Sequence, residues 1–93
     1  MKILISSKHL ASILNDIDFE KEFVTSVYSK KNGITIDTNS WSYNTNCEVS
    51  EANISVIQKN KRWDQLKILV NKIDNQPIVL KLFENTLNVI ISY

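Results

Sequence analysis

One helix face written twice constrains this chain more than any other feature. Trp63, Leu66, Leu69, Val70 and Ile73 recur at helical spacing across Lys61 to Ile73, leaving Arg62, Asp64, Gln65, Lys67, Asn71 and Lys72 for the rim and solvent side. A shift of 56 positions toward the N-terminus carries Leu66, Leu69, Val70, Ile73 and Asp74 onto Leu10, Ile13, Leu14, Ile17 and Asp18. Any amphipathic helix fills positions i, i+3, i+4 and i+7, so the weight of the match comes from its flanks. Ile3, Leu4 and Ile5 supply a strand before the first helix, and Ile54 and Val56 alternate ahead of the second. Phe23 to Tyr28 with Ile34 to Thr38 read as a hairpin after the first helix. Ile78 to Phe83 with Leu87 to Ile91 read as one after the second, joined at Glu84, Asn85 and Thr86 with Asn85 as the left-handed turn residue.

Size sets the frame for these elements. A chain of 93 residues predicts one domain, 1–93, with pseudo-repeat halves of about 1–50 and 53–93. Its hydrophobic content of 43% and charged content of 23% suit a soluble globular protein, and no apolar run approaches the roughly 20 residues of a membrane span. The start has one basic residue, Lys2, and three consecutive apolar ones, short of a secretion signal. The single cysteine, Cys47, cannot form an internal disulfide, so the expected location is cytoplasmic. Without an export signal, the glycosylation-like triplet Asn53-Ile54-Ser55 is read as accidental.

Ser6 or Ser7 is the expected N-cap of the first helix, which should run to about Ile17. The acidic run Asp18, Glu20, Glu22 is expected to be a solvated connection. Asn32-Gly33 predicts a two-residue turn, because both central positions of a type I′ turn need positive φ. Tyr43, Thr45, Cys47 and Val49 alternate as a third strand at a sheet edge. Glycine and proline occur once each, at Gly33 and Pro77, which rules out a Gly-rich phosphate loop and a Pro-rich linker.

The order is thus strand, helix, three strands, then strand, helix, two strands: an α+β fold of two βαβ(β) repeats, with two helices packed on an antiparallel sheet. In this order, and in the phrases Lys2-Ile3-Leu4-Ile5 with His9-Leu10 to Ile17, Ile54-Ser55-Val56 with Trp63 to Ile73, and Ile78-Val79-Leu80-Lys81-Leu82, the chain resembles one domain of the bacterial DNA polymerase sliding clamp family. The resemblance implies a DNA-clamp-like domain. In that family several domains close into a ring lined by helices facing DNA, and strands of neighbouring domains pair across the outside.

Charge adds a local argument. The formal net charge is +1, which gives no global field for nucleic acid. Around the second helix, however, Lys59, Lys61, Arg62, Lys67 and Lys72 face only Asp64, a local +4. These five residues are the candidate contacts to double-stranded DNA. About four phosphates at a salt slope of roughly −0.9 each would hold one copy weakly, and several copies facing one duplex would hold better.

Catalytic chemistry is sparse. His9, the only histidine, has no sequence partner, and Cys47 has no flanking motif to activate it. No Cys and His cluster offers zinc ligands. Asp37, Asn39 and Glu48 fail as a calcium loop, since Trp41 takes a ligand position and Ser42 replaces the required glycine. The expectation is a protein without enzymatic activity, metal or cofactor. Trp41 and Tyr43, in a polar stretch, are candidate partner contacts, although no basic residue between Thr35 and Thr45 accompanies them. Val89 and Ile91, in a nearly uncharged last strand, predict self-association through an edge. The leading reading is a clamp-like domain that binds copies of itself or replication proteins and turns its second helix to DNA. The other is an immunity or regulatory module that binds one protein on the same scaffold.

Overall fold

The computed structural model describes residues 1–50, 60–83 and 86–91, with backbone alone at 60, 61, 83 and 86–91. The elements are β1 (Lys2–Ser6), α1 (Ser7–Asn15), β2 (Val24–Lys30), β3 (Gly33–Thr38), β4 (Ser42–Asn46), β5 (Glu48–Ser50), α2 (Asn60–Lys72), β6 (Pro77–Phe83) and β7 (Thr86–Ile91). The expected strand at Ile54 and Val56 and the turn residues Glu84 and Asn85 lie outside the described residues.

The α+β class is as expected, but the described residues form two antiparallel sheets rather than one. β5, β1, β6 and β7 lie side by side in that order, and β2, β3 and β4 form the other sheet. The third strand predicted over Tyr43 to Val49 is broken at Cys47 and shared between them. Its first part pairs with β3, with Tyr43 opposite Ile36, while its second pairs with β1, with Val49 opposite Ile3. At the switch the Cys47 N–H donates to the Asn32 carbonyl at 3.1 Å, so its backbone donor is satisfied as the chain changes sheets.

The helices form where the spacing placed them. The Ser6 hydroxyl caps α1 by accepting from the His9 N–H at 3.2 Å. Ser7 instead is buried and ties the start of α1 to the approach to β6, donating to the Asp74 carbonyl and accepting from the Gln76 N–H, both at 3.0 Å. Leu10, Leu14, Ile17, Trp63, Leu66 and Val70 join the inward residues of β1, β2, β3 and β6 in one core. Burying each large apolar side chain stabilises the fold by about 1.5–3 kcal/mol before the entropy cost of ordering it. The Trp63 indole N–H is buried and has no hydrogen-bond acceptor among the described residues.

Two local expectations are corrected. The β2–β3 loop is Lys31–Asn32, because Lys30 pairs with Gly33. Asn32 takes the left-handed conformation at φ 109°, and Gly33 is a strand residue without positive φ. Glycine is required there for another reason: a Cβ at Gly33 would run into the Thr45 backbone carbonyl of β4. The acidic run is not uniformly solvated either. Asp18 and Glu20 are exposed, but Glu22 is buried.

Candidate functional site

α1 and α2 lie against each other, and their outer surfaces are largely polar. Asn15 and Asn71 exchange carboxamide hydrogen bonds between them, at 3.1 Å and 2.8 Å. On α2, Arg62 and Lys72 are exposed, Asp64 and Gln65 accompany them, and Ile68 stands out at 49% exposure. Lys67 is placed differently. Its ammonium donates to the Ile17 carbonyl just beyond α1 at 2.9 Å and lies 5.7 Å from the centre of the Phe19 ring. A cation at the carbonyl end of a helix and over a ring face is favourable on both counts, so this lysine fastens one helix to the other. Lys59 and the side chain of Lys61 lie outside the described residues, which leaves Arg62 and Lys72 as the exposed cations of this set of five.

The two aromatic candidates separate. Trp41, at 69% exposure, projects from the β3–β4 turn, and Phe23, at 55%, stands at the entrance to β2. Their backbones are pinned together: the Phe23 N–H donates to Asn39 Oδ1 at 2.9 Å, and the Asn39 N–H donates back to the Phe23 carbonyl at 3.2 Å. The Thr38 hydroxyl holds the turn by accepting from the Ser40 and Trp41 N–H groups at 3.2 and 3.1 Å. Tyr43 points inward, half-buried, against the core.

Glu22 anchors this corner. Its carboxylate accepts from the Thr38 hydroxyl at 2.7 Å, the Tyr43 hydroxyl at 2.8 Å and the Asp18 N–H at 3.2 Å. Burial alone would raise its pKa, but the hydrogen bonds from Thr38, Tyr43 and Asp18 outweigh that and hold it below the ordinary carboxylate value. Tyr43 is pushed up to about 12, by burial first and then by donating to Glu22 beside the negative charges of Glu22 and Asp16. A spacing argument could not find this group, because its members come from three segments between positions 18 and 43.

His9 is exposed and lines two grooves, of about 290 Å³ with Ser12, Asp16 and Asn44 and about 360 Å³ with Leu4, Cys47 and Glu48. Burial pushes the Cys47 thiol up, against a backbone hydrogen bond from Ile34 that lowers it, which makes a poor nucleophile. Asp37 receives the Ser42 hydroxyl at 2.6 Å and the Ser26 hydroxyl at 3.4 Å. Among the described residues no three His, Cys, Asp or Glu side chains gather to hold a metal, and no helix is long and apolar enough to cross a membrane.

For the edge-strand candidates, β7 pairs with β6 and has no second neighbour among the described residues. The side chains of Val89 and Ile91 lie outside the described residues. No protein-family model, no curated protein and no solved structure matches this chain.

Proposed function

We propose that this chain is a non-enzymatic assembly domain of DNA-clamp-like design, which pairs through its open strand edges with further copies or with replication proteins and turns α2 toward duplex DNA. The observation that carries the reading is the reciprocal bond between Asn15 and Asn71. These positions are separated by the same 56 residues that relate the two apolar helix faces. Two equivalent side chains that bond to each other sit where an approximate twofold axis would pass between halves of the domain. The edge of β7, which has no second neighbour among the described residues, would supply backbone donors and acceptors for pairing, and Arg62 and Lys72 supply exposed charge on the outer side of α2.

Light scattering across a concentration series tests the assembly half. A closed multiple, six copies above all, supports a ring; a concentration-independent monomer removes self-assembled encirclement. Retention on circular DNA tests the other half. The double variant R62E/K72E should lose it, and unchanged retention would remove α2 from the site.

A second reading, a protein-binding module on the same scaffold, is favoured by the rigidly held and exposed Trp41 and by Ile68 in the middle of the outer face of α2. Exposed aromatic and aliphatic anchors on fixed backbone are the usual centres of protein contacts. It predicts a co-purifying partner whose binding resists salt and is lost in Trp41→Ala.

A further inference from the structure

The stretch from Thr35 to Thr45 has no cation of its own, but the fold brings two to it from the preceding hairpin. Lys30, Lys31 and Asn32 line a groove of about 320 Å³ together with Asn44, Thr45 and Asn46 of β4. Both lysines are exposed. Among the described residues the lining holds two ammonium groups, three carboxamides and no carboxylate. The two neighbouring grooves differ in this respect, one containing Asp16 and the other Glu48.

The donors are partly preset. The Thr35 hydroxyl donates to Asn44 Oδ1 at 2.6 Å, which occupies the amide oxygen and leaves the N–H₂ end for a ligand. The Asn32 backbone is held by the Cys47 N–H. Strand alternation puts the half-buried Tyr28 on the same side of the sheet as Lys30, two residues before it, and opposite Thr35, which lies between Tyr28 and Asn44. Asp37 is the carboxylate on that side of β3. It lies four residues along from Gly33, about 13 Å, and is bound by the Ser26 and Ser42 hydroxyls.

We propose that this hairpin groove binds single-stranded nucleic acid. Lys30, Lys31 and the Asn44 and Asn46 amides hold the phosphodiester backbone, and Tyr28 stacks on a base. A cationic groove beside an aromatic ring is the combination that single strands use. The surface is separate from α2, so the proposal stands independently of duplex binding there.

Fluorescence anisotropy with a labelled oligothymidylate, from about 20 to about 200 mM NaCl, tests it. Two phosphate contacts predict a salt slope of about −1.4. K30E/K31E should lower affinity at least tenfold, by about 1.4 kcal/mol or more, and flatten the slope. Tyr28→Leu should weaken binding with the slope unchanged, while R62E/K72E should bind as the parent does. Absence of binding at about 20 mM salt, parental affinity in K30E/K31E, or loss of binding in R62E/K72E would each overturn the proposal. Unchanged affinity in Tyr28→Leu would overturn the stacking contact.

Discussion

At one end of the β2–β3–β4 sheet, the Glu22 carboxylate takes hydrogen bonds from Thr38, Tyr43 and the Asp18 backbone. At the other end, Lys30 and Lys31 stand in solvent beside three asparagines. Both ends are polar and both lie beside a turn, yet they do different work. The first closes on itself: its charge is buried and its hydrogen bonds are made within the chain, so its chemistry is structural. The second keeps charge and amide donors turned outward, so its chemistry can be given to a ligand. What separates an internal polar network from a binding surface here is whether its donors and acceptors are already matched.

Perturbing the closed end should have the largest effect. Glu22→Ala removes the acceptor of the Tyr43 hydroxyl and leaves the Thr38 hydroxyl only the Trp41 carbonyl, and should cost about 3 kcal/mol in urea unfolding at neutral pH; a loss below about 0.5 kcal/mol would make the corner an ordinary surface cluster. The same carboxylate sets an acid limb. Its folded pKa lies below its unfolded value, so its contribution is present above the unfolded pKa and is lost as pH falls through the folded one. In Glu22→Gln this part of the pH dependence should disappear.

Gly33→Ala comes next. It forces a methyl group against the Thr45 carbonyl and should cost about 2 kcal/mol by displacing β4. A neutral result would show that β4 can move away without loss. Tyr43→Phe removes one donor to Glu22 and should cost about 1 kcal/mol. It should also abolish an alkaline limb. The folded tyrosine pKa is raised from 10.0 to about 12, so the stabilisation is complete below 10.0 and is lost as pH rises toward 12. The smallest effect belongs to the open end: K30E/K31E should shift stability by no more than about 0.5 kcal/mol. A larger loss would mean that the hairpin lysines are also internal struts.

The Lys67 ammonium brings the same distinction to the helices. Sequence placed Lys67 with Arg62 and Lys72 as one charged set, but only a three-dimensional arrangement could put the Ile17 carbonyl and the Phe19 ring, about 50 residues away, within its reach. The acidic run misled in the same way. Asp18, Glu20 and Glu22 look alike in order, and Glu22 alone meets Thr38 and Tyr43. The Asn32-Gly33 pair correctly marked the hairpin, while the glycine serves a strand contact, not the turn.

Local periodicity determined both helices, the buried Trp63 and the strands of the two hairpins, because side-chain burial repeats with each element's own geometry; the structure chose Ser6 over Ser7 as the N-cap. Tertiary structure decided the division into two sheets at Cys47, the burial of Glu22, the tether at Lys67 and the meeting of Lys30 and Lys31 with Asn44 and Asn46. Each of these depends on which distant segment becomes a neighbour, and strand pairing across long separations is fixed by the core as a whole, not by any window of sequence.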